Sequence, residues 1–385
     1  MKGLILSGGS GTRLRPITHT RAKQLVPVAN RPVLFYAIDA MALAGITDIG
    51  IVISPVTGSE IQAAVGNGSS FGVSISWITQ DKPKGIAHCL LISRDFLDDD
   101  PFVLYLGDNI LQQGLQGFVK RFEASRAGYP TGWRENRPTG QQIQQRPAAR
   151  ILFTTVSDPR LFGVAEFDDQ GRLVGLVEKP ADPPSSLALV GVYLFDRSIH
   201  SAVASVRPSK RGELEITDAI EWLIDNGYRV DHEILKGWWI DTGKKDPLLE
   251  CNRLVLDTIA DDVQGKVDTT SRITGRVALH ADAELVDSVI EGPAVVGAGT
   301  RIVDSHIRPY VSVAEHCEIT SSSVGNSVIM AGTKIVDTKH IVDSLIGRHA
   351  HIGCGVRNAG AEAGDTNLVV RLMIGDQCQV ELGSS

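Results

Sequence analysis

Residues 1–20 read MKGLILSGGSGTRLRPITHT. Leu4-Ile5-Leu6 has the character of a buried strand, and it opens at once into Ser7-Gly8-Gly9-Ser10-Gly11-Thr12-Arg13. Glycines there let backbone N–H groups approach an anion closely, while Thr12 adds a hydroxyl and Arg13 a charge. A strand that runs into a glycine turn reads as a phosphate cradle at the carboxyl end of an α/β sheet strand. Neither common cradle is present. The dinucleotide fingerprint lacks its third glycine, and no lysine follows Gly11 as the Walker motif requires. What stands instead is G-G-x-G-T-R-L-x-P, with Lys23 ten residues beyond Arg13.

The segments that follow fit such a sheet. Pro32–Gly45 has apolar residues at helical spacing and ends on glycine, Ile49–Ser54 is a short β-branched run, and Glu60–Val65 reads as helix. Val73–Ile78 and Phe102–Leu106 read as strands. Strand and helix alternating in this way predict a mostly parallel, doubly wound sheet covered on both faces. Residues 127–147, AGYPTGWRENRPTGQQIQQRP, break the pattern and read as an inserted, solvent-exposed flexible loop. Order resumes in strands at Ala149–Val156, Phe162–Phe167, Leu173–Glu178 and Leu187–Phe195, and in a helix at Glu215–Asn226 closed by Gly227. Trp238–Asp241 ends another strand, and Pro247–Ala260 reads as helix.

From about residue 280 the period changes. Aliphatic residues recur at Ile290, Val296, Ile302, Ile307, Val313 and Ile319, then at Ile329, Ile335, Ile341, Ile346 and Ile352. A helix repeats near 3.6 residues and a strand near 2. A spacing of about six fits a parallel β-helix with three short faces per coil, roughly four coils of about 18 residues each. The resulting division is a catalytic domain at 1–250, a helical linker at 251–280, a β-helix at 281–355 and a weakly ordered cap at 356–385.

At 385 residues, 43% hydrophobic and 22% charged, the chain has the make-up of a globular protein with more than one domain. A net charge of −7 gives no basic footprint and excludes duplex nucleic acid as the expected partner. Five scattered cysteines without a C-x-x-C or His/Cys cluster support neither a disulfide framework nor a zinc site. No stretch approaches a membrane span or a signal peptide, so the expected location is the cytoplasm.

LSGGSGTRLRPITHTRAKQLVPVANRP resembles the signature of the sugar nucleotidyltransferases, which join a nucleoside triphosphate to a sugar 1-phosphate. TQDKPKGIAH is similar to the base-reading loop of the thymidylyltransferase branch, and YLGDN, RLFGVAEF, VEKP, ALVGVY, RGELEITD and WIDTG follow in order. These motifs span residues 1–250 apart from the inserted loop. The long-form members carry a C-terminal left-handed β-helix, in agreement with the six-residue period. The resemblance implies a Rossmann-like nucleotidyltransferase sheet followed by that helix, with dTTP and glucose 1-phosphate as substrates and Mg²⁺ as cofactor.

The chemistry implied is attack of the sugar phosphate on the α-phosphorus, with pyrophosphate leaving. A phosphate monoester is already an anion near neutral pH, its second pKa being about 6, so no general base is called for. The need is to neutralise two anions and hold them in line. Asp108 and Asp241, each at a strand end, are the candidate metal carboxylates. By resemblance Arg13, Lys23 and Lys179 are the catalytic cations. Leu6, Gly8, Gly9, Gly11, Thr12, Arg13, Gln24, Gln80, Gly85 and Asp108 bind the nucleotide, with Gln80 and Gly85 reading thymine. Asn109, Gly163, Glu178, Lys179 and Leu189 hold the sugar phosphate. His19 and His88 lie near these motifs without an assignable role.

Three other readings stand beside this one, of which a non-catalytic regulatory or assembly module would lack Asp108 or Asp241, and both are present. Another nucleotide or sugar would keep the glycine turn. An acyltransferase would use the β-helix, where His306, His316, His340, His349 and His351 are available but fall in no recognisable motif. An assembly or regulatory role suits the coil stack better than a second active site, and it suggests a homo-oligomer.

Overall fold

A computed structural model describes residues 1–127, 146–354 and 369–383. It separates into two compact units, one of residues 1–9 and 34–239, the other of residues 10–33 and 240–385.

The first unit is built on a nine-stranded sheet. Its strands are β1 (Lys2–Leu6), β2 (Asp48–Ile53), β3 (Ser74–Thr79), β4 (Phe102–Leu106), β5 (Pro147–Thr155), β6 (Gly163–Phe167), β7 (Leu173–Glu178), β8 (Leu187–Phe195) and β9 (Arg229–Ile234). The order is β7-β6-β8-β4-β1-β2-β3, with β5 pairing both β8 and β9. β1 lies parallel between β2 and β4, with Leu6 opposite Val52 and Leu106. β8 runs antiparallel to β4, so the sheet is mixed. Leu4, Ile5, Phe102, Val103 and Leu104 are fully buried, as expected for strands covered on both faces. Helices Gly58–Val65, Gln116–Arg126, Ser198–Ser205 and Ile216–Asp225 fall where the apolar periodicity puts them or in the gaps between strands. The hairpin at 168–171 turns at Gly171, with φ +72°, while Asp168 Oδ1 accepts from the N–H groups of Gln170 and Arg172.

The second unit holds helix Lys245–Leu256 and a left-handed parallel β-helix. Three parallel sheets of seven, seven and five strands form its faces among the described residues. Through most of the stack paired residues lie 17 or 16 positions apart, as in Ile290 with Ile307, Ile307 with Val324, and Ile319 with Ile335. All eleven aliphatic positions of the hexad pattern are buried, and Val324 fills the gap between Ile319 and Ile329. Corners fall on Asp287, Asp304, Ser321 and Asp337, each with φ between +45° and +53°. Left-handed backbone favours Asn, Asp and glycine, so short polar residues recur there. Beside these corners Ser271, Ser288, Ser305 and Ser322 each accept, through the hydroxyl, an N–H from one coil further on, at 3.0–3.1 Å. The hydroxyl ladder satisfies backbone donors that the corner takes out of the sheet.

Three features differ from the sequence expectation. The helix ends at Leu256 and the strand stack starts at Asp262, inside the stretch read as a helical linker. Beyond 356, Met373–Ile374 and Gln379–Leu382 continue two of the β-helix sheets. There are more coils than four, because each takes 16–17 residues and the stack is longer at both ends. Residues 128–145 of the inserted loop and 355–368 lie outside the described residues.

Candidate active site

In the first unit β1 delivers Leu6 to the sheet's carboxyl edge, where the Ser7 N–H donates to Val52 O and the Gly107 N–H to Leu6 O. A side chain at Gly8 would put its Cβ 3.4 Å from Gln80 Oε1, so the start of the glycine turn and the candidate base reader are neighbours. Gln80 is buried, and its Nε2 lies 2.9 Å from His88 Nδ1. Burial, helped by Lys84, holds His88 below the ordinary imidazole value. In the tautomer protonated at Nε2 the neutral ring accepts at Nδ1, and that tautomer sets which way the Gln80 amide faces. Gly85 needs its φ of +96°, and a Cβ there would run into Leu214 O. The Leu214 N–H donates to Lys84 O and the Ala87 N–H to Leu214 O, which clamps the TQDKPKGIAH loop onto RGELEITD.

Asp108 follows β4. Its Oδ1 accepts from Asn109 Nδ2 at 2.7 Å, and Asn109 Oδ1 accepts from Trp239 Nε1 at 2.6 Å. The Asn109 amide is therefore oriented at both ends. Gly163 opens β6 in register with Glu178. A Cβ at Gly163 would meet Thr217, Leu189 and Glu178 at 2.7, 2.8 and 3.3 Å, so three of the five expected sugar-side residues, Gly163, Leu189 and Glu178, are neighbours. Lys179 holds a left-handed backbone, φ +44°, its N–H donating to Phe162 O. A non-glycine residue in that region carries strain of a kind concentrated at functional sites. Glu178 Oε1 pairs with Lys179 Nζ at 3.1 Å and Arg211 Nη1 at 3.0 Å. Burial, then the Glu178 charge, pushes Asp218 up; burial does the same to Glu215, with Glu178 adding to it.

In the second unit Gly11 takes φ +62°, and its carbonyl accepts from the Thr18 hydroxyl at 2.7 Å. The chain then coils through short turns at Thr12–Leu14, Ile17–His19 and Lys23–Leu25. Thr12 and Arg13 are exposed, Lys23 and Gln24 buried. Asp241 receives Arg13 Nη2 at 3.5 Å on Oδ2, Lys23 Nζ at 3.7 Å on Oδ1, and the Gly243 N–H at 2.9 Å. A Cβ at Gly243 would lie 2.6 Å from Lys23 Nζ and 2.7 Å from Arg13 Nη2, so the glycine of D-T-G is what lets both cations reach the carboxylate. Gln24 Oε1 is buried and has no hydrogen-bond partner among the described residues.

Carboxylates are the donor type that a hard divalent cation takes, and each unit carries one candidate. Asp108 and Asp241 offer carboxylate oxygens, and no group of three or more His, Cys, Asp or Glu able to hold a metal occurs among the described residues. Mg²⁺ typically takes one or two carboxylates and completes its shell with phosphate oxygens and water.

His88, Trp239, Arg211 and Gly243 were not among the expected site residues. All four sit inside quoted motifs, His88 as the last residue of TQDKPKGIAH, and that was their only signal. His316, His340 and His349 of the β-helix occupy positive-φ corners, φ +54° to +61°, which is a turn role.

The comparisons with known proteins bear on the family to which the chain belongs. The chain is 48% identical over 384 residues to a glucose-1-phosphate thymidylyltransferase of Streptomyces griseus and 47% identical to one of Streptomyces antibioticus, each alignment covering 100% of both chains. A Bacillus anthracis crystal structure described as that of a glucose-1-phosphate thymidylyltransferase superposes with a TM-score of 0.59 at 35% identity, over 67% of this chain and 96% of that one. No helix among the described residues is long and apolar enough to cross a membrane. The nucleotidyl transferase family profile matches residues 2–258, the span that holds every candidate residue above, and the chain belongs to that family.

Proposed function

We propose that the chain transfers the thymidylyl group of dTTP to α-D-glucose 1-phosphate, giving dTDP-glucose and pyrophosphate. The observation that carries this reading is the cluster of Arg13, Lys23 and Asp241 around Gly243: two cations and a carboxylate on one glycine loop suit a metal-bound triphosphate. The thymidine preference rests on Gln80, whose amide is held by His88 beside Gly8. An amide oriented in one sense pairs with the donor–acceptor edge of thymine or uracil and opposes that of cytosine.

Each residue then has a task. Backbone N–H groups of Gly8, Gly9 and Gly11, with Thr12 and Gln24, hold the triphosphate, and Leu6 and Gly85 bound the nucleotide. Arg13 draws off charge from the departing pyrophosphate, and Lys23 lies near the reacting phosphates. Asn109, Gly163, Leu189 and Glu178 orient the sugar hydroxyls, and Lys179 neutralises the sugar phosphate. Asp108 and Asp241 are the carboxylates assigned to Mg²⁺, which when bound neutralises phosphate charge and fixes the in-line geometry. No residue need take a proton. Both substrates are charged metabolites, which suits a cytoplasmic enzyme, and the flat faces of the coil stack suit a homo-oligomer.

Pyrophosphate release tests the reading, with purified protein, Mg²⁺ and glucose 1-phosphate, offering dTTP, UTP, GTP, CTP and ATP separately. Release fastest with dTTP supports it. Preference for GTP or ATP keeps the reaction class and overturns the role of Gln80.

A further inference from the structure

Residues 10–33 carry Arg13 and Lys23, yet they cluster with the β-helix and not with the sheet that β1 belongs to. Their contacts follow one face of the coil stack. Val311–Val313, Val328–Ile329, Leu345–Ile346 and Met373–Ile374 are successive strands of a single sheet. Asn30 Nδ2 donates to Val313 O at 2.6 Å, at the end of the first. Arg21 Nη1 reaches Met330 Sδ at 3.0 Å, one residue past the second. Past the fourth, a Cβ on Gly375 would lie 3.2 Å from Pro16 O, and Thr20 Oγ1 donates to Asp376 Oδ2 at 3.0 Å. As the loop's residue numbers fall, its contacts climb the stack. Asn252, fully buried, ties the lower end: its Oδ1 accepts from Ala29 N at 2.8 Å and from Ser312 Oγ at 2.7 Å.

Asp376 is the upper anchor. Its carboxylate accepts from Arg348 N, Nε and Nη2 at 2.7–2.9 Å, and it is only 7% exposed in its side chain. Burial works against its ionisation, but hydrogen bonds from Arg348 and Thr20 hold its carboxyl below the ordinary value. A charged acceptor held by Arg348 on the last coil among the described residues thus receives the loop at Thr20, between Arg13 and Lys23.

We propose that the β-helix is a scaffold for the nucleotide loop, with Asp376 and Thr20 as positioning residues that hold Arg13 and Lys23 where the triphosphate binds. This rests on the reading of those two cations as triphosphate ligands. A loop set in advance loses less conformational freedom when ligand binds, so releasing it weakens nucleotide affinity and leaves sugar-phosphate affinity alone.

The test uses full-length protein carrying Thr20→Val, Thr20→Ser, Asp376→Asn, the Thr20→Val/Asp376→Asn pair or Arg13→Ala. Mg·dTTP binding is measured at equilibrium, with the KM of each substrate, thermal unfolding and the rate of tryptic cleavage in residues 13–23. Loss of a hydrogen bond to a charged group predicts about a tenfold weaker Mg·dTTP affinity in Thr20→Val and in Asp376→Asn. The pair should be no weaker than the worse single variant, since both break one contact. Thr20→Ser should restore wild-type binding, the KM for glucose 1-phosphate should hold throughout, and cleavage should quicken in Thr20→Val. Unchanged binding in Thr20→Val and Asp376→Asn while Arg13→Ala binds poorly overturns the scaffold. Unchanged binding in Arg13→Ala overturns the underlying reading of the loop. Equal rises in both KM values with a lowered melting temperature would make the contact structural only, which also overturns the proposal.

Discussion

In the nine-stranded sheet a strand such as Phe102–Leu106 is buried on both faces, whereas a β-helix strand such as Arg301–Val303 sends one residue, Ile302, into the core. The first arrangement surrounds each side chain with neighbours distant in sequence. The second repeats one local solution every 16–17 residues. The consequence reaches the site. On the sheet, site side chains are aimed by other side chains: Asn109 by Trp239, Gln80 by His88, Glu178 by Arg211. In the second unit the loop is aimed by a regular frame that offers a carbonyl, a sulfur and a carboxylate at the first, second and fourth of four stacked strands.

Four substitutions break or sharpen this contrast. Asp241→Asn removes the charge that Arg13 and Lys23 face, and kcat/KM should fall about 10²–10³-fold with little change in melting temperature. Steady-state pyrophosphate release checks it, and a loss under threefold would remove Asp241 from the site. Next, Ile302→Ala opens a cavity in a coil remote in sequence from Asp376, and stability should drop by about 2–4 kcal/mol in chemical denaturation. Because coils interact with their neighbours only, kcat should stay within about twofold; a collapse of kcat would make the coil stack one cooperative body with the chemistry.

Trp239→Phe keeps the ring and deletes the donor to Asn109. The KM for glucose 1-phosphate should rise about tenfold while that for dTTP holds, since a buried amide oxygen is left unpaired. A rise in the dTTP constant instead would place Asn109 on the nucleotide side. The smallest effect concerns His88. Its folded pKa is lowered, so the accepting neutral form is full above the ordinary 6.5 and is lost as pH falls through the lower folded value. Protonation turns Nδ1 into a donor facing the Gln80 Nε2 donor. The KM for dTTP should therefore climb a few-fold on the acid side, and His88→Gln, which keeps an acceptor without titrating, should flatten that limb relative to wild type. Parallel pH profiles for the two proteins would deny His88 this part.

Much of this was legible in the sequence because local rules govern it. The glycine turn announced the end of β1, and the six-residue period announced the inward residues, all of which are buried. The first coils escaped notice because their residues are not yet enclosed: Val263 is 44% exposed and Val267 39%. The last strands escaped because 28 residues separate Ile352 from its partner Val380, which breaks the count. Within the site, motif positions were readable but their partners were not. Nothing near Asn109 in sequence points to Trp239, 130 residues on, and His88 is identified only by the 2.9 Å that separates it from Gln80. That loop 10–33 belongs with the coils is a tertiary fact with no local signature.

The central claim is nucleotidyl transfer at the α-phosphorus, and isotope position tests it most directly. The enzyme is given glucose 1-phosphate, Mg²⁺ and dTTP labelled with ³²P at either the α or the γ position. The account predicts α-label in the sugar nucleotide and γ-label in pyrophosphate. Label from the γ position appearing on the sugar, with dTDP released, would mean phosphoryl transfer and would contradict it.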